Sequence, residues 1–483
     1  MASVNKESLR EEFGALQGRF AQLSADGKIT AESRALVEAL LMLLKVLMAV
    51  FMEKNTAKNS TNSSKPASQT PKDDTALSPP GSHGKGKVFT ATRSGNTRTV
   101  ESVEISPVSF CEACGEDLHK ISCQGHQRRT QIDIVFEKVV THVDAEIKQC
   151  PQCGTQARGA FPAPFCGPLQ YGAGIKAYAV NLLIAQMLSL KRVQQSLQTL
   201  LGQVISEATI LKYVMLLHVA LEQWQQTAIE RLLTLPALHV DETSLRVNKK
   251  NHWIHVCSGG EITLKFVHAK RGQEAMQEIG VIPRYGGVII HDCWASYLAY
   301  EHCGHGLCGA HLLRELTFII EANAYPWAKN MKRLLQETCA QVARRKRKKL
   351  TARQYANLQK RYRNILTRGE RELPPLPVRQ NGKRGRLAKS DAHNLWERLK
   401  QHESSVLLFA NNPHVSFTNN RAERDLRMSK VKQKVSGCFR KPLYAQAYCR
   451  ISSYLQTMAN REYNPLVAIQ WALSGHLYAV VGE

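Results

Sequence analysis

A chain of 483 residues has room for two or three domains. Its 65 Lys and Arg against 40 Asp and Glu leave a formal charge of +25, which points to a polyanionic partner such as DNA or RNA. The 13 cysteines are not spaced as a small secreted disulfide framework, and the polar first thirty residues lack a signal-peptide core, so a reducing cytosol is the expected compartment. The longest apolar stretch, Ala39 to Met52, is interrupted by Lys45 and falls short of the ~18–20 residues that cross a bilayer, so no membrane segment is expected.

Residues 1–52 read as helix. Leu36, Leu40, Leu43, Leu47 and Val50 alternate in steps of four and three, a coiled-coil seam that fits burial against the chain's own core and self-association equally. Residues 53–98 turn to Lys, Asn, Ser, Thr, Pro and Gly, a basic linker too polar to order itself. In 99–166, Cys111-x-x-Cys114 and Cys150-x-x-Cys153 offer four thiolates in two knuckles, each followed by glycine, the pattern of a structural Zn²⁺ site. Reduced loop cysteines are the alternative. Between the knuckles, QIDIVFEKVVTHVDAEI alternates like strands, and Cys123, His126 and His142 form no knuckle.

Residues 167–232 read as helical. SLKRVQQSLQTLLGQVISEATILKYVMLL has a turn near Gly202 and a second helix opened by Ser206, which fits a DNA-reading helix-turn-helix and plain packing alike. From 233 to 319 come the strands PALHV, HWIHVCSGG and ITLKFVHA, the helix GQEAMQEIG and the strand GGVIIHD. Three strands, a helix and a fourth strand open a ribonuclease H-like fold, completed by 406–465. A basic helical insertion, 320–405, separates the two parts, and 466–483 reads as a tail.

Three acids stand out: Asp241, taken to end its apolar strand, Asp292 just past another, and Glu423 in the first turn of a helix. In-line displacement at phosphorus is helped by two Mg²⁺-class ions, which prefer carboxylate oxygens, and three acids are enough to hold them. Glu242 points to the opposite strand face from Asp241, so both cannot serve. Glu423 follows Asn420 by three, as in a capping-box variant, and Asp425 competes with it. Arg421, Arg424 and Arg427, continued by Lys430 and Lys434, line one helical side as phosphate contacts or as a solvated basic face. Trp294 is a candidate for stacking on an unpaired base, or a core residue. His302, Cys303, His305, Cys308 and His311 suggest a second metal site, against the safer account of a packed helix start.

In their order, the NSTNSSKPAS leader, the double CxxC, QYGAGIKAYAV, VDET, IIHDCWASY, LCGAHLLREL and TNNRAERDLRMSKVKQKVSGCFR resemble transposases of the bacterial insertion sequence 66 family. The pattern departs at CFRKPLYAQAYCR, where a Gly-Ala pair is expected near 444 and 445. The resemblance implies a DDE triad of Asp241, Asp292 and Glu423 using two Mg²⁺ or Mn²⁺ ions, a Cys308-x-x-His311 fold signature and a zinc-finger-like domain. It also implies binding of terminal inverted repeats and target DNA in the bacterial cytoplasm at the nucleoid, a homo-oligomer, and accessory proteins encoded by the same element. The expected activity is cleavage of element ends followed by strand transfer. The alternatives are a non-catalytic transposon-derived DNA-binding protein and a metal-dependent nuclease that cuts without joining.

Overall fold

The computed structural model describes residues 6–59, 61–63, 103–130, 137–162, 165–375 and 389–476. The chain forms two compact units, one from residues 1–86 and 226–430, the other from 87–225 and 431–483.

The helical segment expected over 1–52 consists of two helices, α1 (Lys6–Ala25) and α2 (Ala31–Lys54). Gly27 takes a φ of +67°, which glycine adopts without strain, and the Thr30 side chain accepts the Ser33 N–H to open α2. Leu36, Leu40, Leu43 and Leu47 are exposed, so the described residues leave this stripe uncovered. Contrary to expectation, α2 is long and apolar enough to cross a bilayer by length and composition. Its far end is tied to protein: buried Glu53 accepts the Asp391 and Ala392 N–H groups at 2.6 and 3.1 Å and the Asn323 side-chain amide at 3.0 Å.

The described residues of the linker expected from residue 53, 53–59 and 61–63, are held against the protein. Lys58 pairs with Asp391 at 2.8 Å and lies over the Phe318 ring, while buried Asn62 donates to Glu321 at 2.6 Å. Asn59 Oδ1 accepts the Thr61 and Asn62 N–H groups, so these side chains supply the order that composition seemed to deny. Residues 64–98 of the expected linker lie outside the described residues.

Of the strand-like stretch before Cys150, residues 131–136 also lie outside, and in the remainder only β1 (Ile147–Gln149) forms, paired antiparallel with β2 (Gln156–Arg158). The helical region then runs through α3 (Ala173–Val180), a π-turn (Asn181–Ala185), α4 (Leu190–Leu201), α5 (Glu207–Ala220) and α6 (Glu222–Leu233). It is interrupted after the π-turn, where Met187 has a φ of 58° and buried Lys432 donates to the Leu183 and Leu188 carbonyls. Between α4 and α5, Gly202 takes the left-handed C-cap and Ser206 caps Thr209, as the sequence suggested.

The central sheet has the order β5-β4-β3-β6-β7, from β3 (Ala237–Val247), β4 (Lys250–Gly259), β5 (Ile262–His268), β6 (Val288–His291) and β7 (Gly304–Leu307). The first three strands are antiparallel, α7 (Gln273–Ile279) leads across to β6, and β3, β6 and β7 run parallel. After the short α8 (Ala295–Leu298) and β7 come α9 (Gly309–Asn323), α10 (Pro326–Ala343), α11 (Ala352–Glu372), α12 (Asp391–Gln401) and α13 (Glu403–Asn411). The basic insertion is amphipathic. Trp327, Met331, Leu335, Tyr362, Trp396 and Leu399 share one core with Ile290 and Leu307 of the sheet.

After α14 (Asn420–Ser436), α15 (Pro442–Asn460) and α16 (Pro465–Leu473) pack on α3 and α5. Residues beyond 430 thus belong with the helical unit rather than with the sheet, and residues 466–473 of the expected tail are helix, with Ala468, Ile469 and Ala472 buried. Where a Gly-Ala pair was expected, α15 is continuous and buries Ala445 and Ala447.

Candidate active site

Asp241 does not end its strand. Burial shifts to the other face where Glu242 and Thr243 are both buried and alternates again through Leu245 and Val247, so β3 continues and Asp241 lies mid-strand. The parallel register pairs Ala237 with Val288, Leu238 with Ile289 and His239 with Ile290, a constant offset of 51. Asp241 and Asp292 are also 51 apart, each two residues beyond the last paired rung, His239–Ile290, so the ladder directs them towards one another, and the Asp292 charge acts on Asp241. Asp292 follows β6 directly; its Oδ1 accepts the Trp294 N–H at 3.1 Å, and Cys293 between them takes a left-handed φ of 70°. That conformation costs a non-glycine residue about 1 kcal/mol or more and turns the chain sharply behind the carboxylate.

Glu423 reaches the same face on α14, which is pinned across the sheet. Cross-strand pairing aligns Ile290, His239, Ser258 and Thr263 in one row. Over that row, Asp425 Oδ2 accepts the Ser258 and Thr263 hydroxyls at 2.7 and 2.8 Å, and the Asn419 amide donates to the Val240 carbonyl at 2.8 Å. Asn419 Oδ1 pairs with His239 Nδ1 at 2.9 Å, its N–H donates to Cys308 Sγ at 3.2 Å, and its carbonyl accepts the Glu423 N–H at 3.3 Å. Thus Asn419, rather than Asn420, joins the strand of Asp241, the start of α9 and the helix of Glu423. Gly309 completes the junction by donating to the Phe417 carbonyl at 2.7 Å.

Burial pushes the Asp241 carboxyl up to about 7, helped by the charges of Glu242, Asp292 and Glu423. Buried Glu242 is raised too, although Tyr297 donates to its Oε2 at 2.6 Å and Arg271 donates to its Oε1. Burial alone would lower His311, but Cys308, Glu423 and Asp292 outweigh it and hold the imidazole above its ordinary value. Glu423 Oε1 and His311 Nδ1 are buried without hydrogen-bond partners. The charges of Asp292 and Glu423 reach Asp241, and one Glu423 oxygen is orphaned, but oxygens of the three acids do not all come within 4.8 Å of one another; a divalent cation among them would remove the mutual repulsion.

Other expected site residues fare differently. Arg421 donates to the Gly260 and Ile262 carbonyls at the β4–β5 turn, which occupies it structurally, whereas Arg424, Arg427, Lys430 and Lys434 are exposed. Arg271 stacks 4.3 Å above Trp294, taking one face of the ring proposed for base stacking. His305 bonds His291 and the Tyr300 carbonyl, His302 lies at the Ile282 carbonyl and Cys303 donates to Tyr285, so these three serve packing. Cys111 and Cys150 each open a tight turn closed by Gly115 or Gly154. Yet among the described residues only Cys308, His311 and Glu423 form a group of three metal-capable side chains, so the four knuckle thiols, Cys111, Cys114, Cys150 and Cys153, are not gathered at one point. Sequence reading missed Asn419, Arg271 and Tyr297, whose roles depend on tertiary neighbours; the paired asparagines before Arg421 were the one local signal.

A search of curated proteins finds no match. A family model described as Transposase IS66 family matches residues 168–447, more than half of the chain, and takes in the whole sheet, both aspartates and Glu423. This chain therefore belongs to the IS66 family of transposases, and a role in transposition, with DNA as partner and divalent metal in use, comes with that membership.

Proposed function

We propose that the chain is a DNA transposase with a ribonuclease H-like core, in which Asp241, Asp292 and Glu423 form the DDE triad that cleaves element ends and transfers the strand to target DNA. One observation carries this reading: the ladder of β3 and β6 runs with the offset of 51 that also separates the two aspartates just beyond it, and Asn419 and Asp425 fix the helix bearing Glu423 to the same sheet. The sheet order, three antiparallel strands followed by two parallel ones, supports the core assignment.

The three carboxylates would hold two Mg²⁺ ions, which supply charge neutralisation at the phosphodiester and a more acidic attacking hydroxyl. Asn419 and Asp425 keep Glu423 in place while the phosphate enters. Exposed Arg424, Arg427, Lys430 and Lys434 contact neighbouring phosphates. The α4–α5 pair reads the terminal repeats, the cysteine knuckles form a zinc-stabilised module once metal gathers them, and the uncovered α2 stripe joins copies of the chain so that two element ends meet. Proteins encoded beside the transposase assist it in the bacterial cytoplasm.

The test is cleavage and joining of a labelled fragment carrying the element's ends, with Mg²⁺, by wild type and by Asp241→Ala, Asp292→Ala and Glu423→Ala. Loss of both steps in all three variants, with DNA binding kept, is the expected result. Activity in any one variant removes that acid from the triad, and cutting without joining in wild type identifies a nuclease.

A further inference from the structure

Next to the triad lies a second set of donors of different chemistry. One ligand atom each from Cys308, His311 and Glu423 lie within 4.8 Å of one another. His311 Nδ1 and Glu423 Oε1 face each other at 3.7 Å, too far for a hydrogen bond, and both are buried without a hydrogen-bond partner. They attract as an ion pair when His311 is protonated, but neither has the hydrogen bond that buried polar atoms usually make. A tetrahedral zinc ion with bonds of about 2.0–2.3 Å sets its ligand atoms roughly 3.3–3.7 Å apart, and the His311–Glu423 separation of 3.7 Å lies at the upper end of that range.

The third donor fits the same ion. Cys308 is buried and immediately precedes α9, and its sulfur is held in place by accepting the Asn419 N–H at 3.2 Å. His311 follows one helical turn later, so sulfur and imidazole point to the same side of the helix start. Thiolate, imidazole and carboxylate are a donor set for a borderline-soft ion such as Zn²⁺, whereas Mg²⁺ prefers oxygen alone. Three protein ligands leave a fourth position open.

We propose that Cys308, His311 and Glu423 form a binding site for one zinc-class divalent cation, distinct from the all-oxygen magnesium cluster but sharing Glu423 with it. Zinc bound there withdraws Glu423 from the triad, so zinc and magnesium compete. The binding itself is independent of the proposed catalytic role of Glu423; the competition rests on that role.

The test is titration of the full chain with Co²⁺ as a spectroscopic stand-in for zinc, read by the thiolate-to-cobalt absorption band and by stoichiometry. Wild type is compared with Cys308→Ser and His311→Gln, with melting curves as the folding control. Each variant is expected to lose one bound ion and part of the thiolate band, or to bind it at least ~10-fold more weakly, while signal from Cys111, Cys114, Cys150 and Cys153 remains. Unchanged stoichiometry and band in both folded variants overturn the site. Zinc added to the Mg²⁺-dependent cleavage reaction supplies the second reading. Inhibition that needs at least ~10-fold more zinc in Cys308→Ser supports the competition. A lost cobalt band without zinc inhibition of wild type upholds the site and overturns the role of Glu423.

Discussion

Replacing Asp425 with Ala removes a carboxylate that is 1% exposed and accepts hydroxyl hydrogen bonds from Ser258 and Thr263, both wholly buried. A hydrogen bond to a charged acceptor contributes about 1.5–3 kcal/mol, and Ser258 loses its acceptor, so the variant should destabilise the sheet-bearing unit by about 3–5 kcal/mol. At roughly 2–4 °C per kcal/mol for a domain of this size, the melting midpoint of that unit falls by roughly 6–20 °C. Asp425→Asn keeps the volume and one acceptor oxygen, and should cost about 1–2 kcal/mol. The assay is thermal and urea unfolding of both variants, combined with Ser258→Ala and Thr263→Val in a double-mutant cycle. A coupling energy below about 0.5 kcal/mol, or an Asp425→Ala loss under about 1 kcal/mol, would refute the claim that this carboxylate fastens α14 to the sheet.

Buried His255 is depressed to about 4, so the folded chain binds fewer protons there than the unfolded one, whose imidazole titrates near 6.5. Stability present above pH 6.5 should drain away as pH falls towards 4, by up to about 3 kcal/mol, and His255→Gln should flatten that slope in pH-resolved urea melts. A Cβ added at Gly309 would lie 2.3 Å from the Phe417 ring, so Gly309→Ala should lower the melting midpoint and impair cleavage, whereas Gly309→Ala with Phe417→Leu should recover part of both. If Arg424 and Arg427 contact phosphates, replacing both with Gln should reduce the slope of log affinity against log salt by about 2, measured by fluorescence anisotropy on duplex DNA.

The three carboxylates were legible because each lies beside an apolar run or in a helix's first turn, and the strand-strand-strand-helix-strand order was legible from period-two burial. The strand end at Asp241 was misplaced because Glu242, Thr243, Ser244 and Arg246 look like a departure into solvent, whereas pairing with β4 on one side continues the strand to Val247. Arg421 read as a phosphate ligand since nothing local reveals that the β4–β5 carbonyls lie beneath it. Lys58, Asn59 and Asn62 looked disordered because they bury little apolar surface; side-chain hydrogen bonds to distant acids and to their own backbone hold them. The ownership of α15 and α16 was hidden as well, because an apolar helical face does not name its partner.

The register of β3 against β6 also sets which changes in chain length the site can survive. Extra residues in the turn after Val247, in the β5–α7 connection or in the loop before Val288 leave the hydrogen-bonded rows unmoved, so the strands that deliver the two aspartates keep their register however long the excursion between them becomes. One residue inserted between His239 and Asp241 turns the carboxylate to the opposite face. Insertions and deletions in this chain are therefore governed less by their distance from Asp241 along the sequence than by whether they fall within the rungs of the ladder.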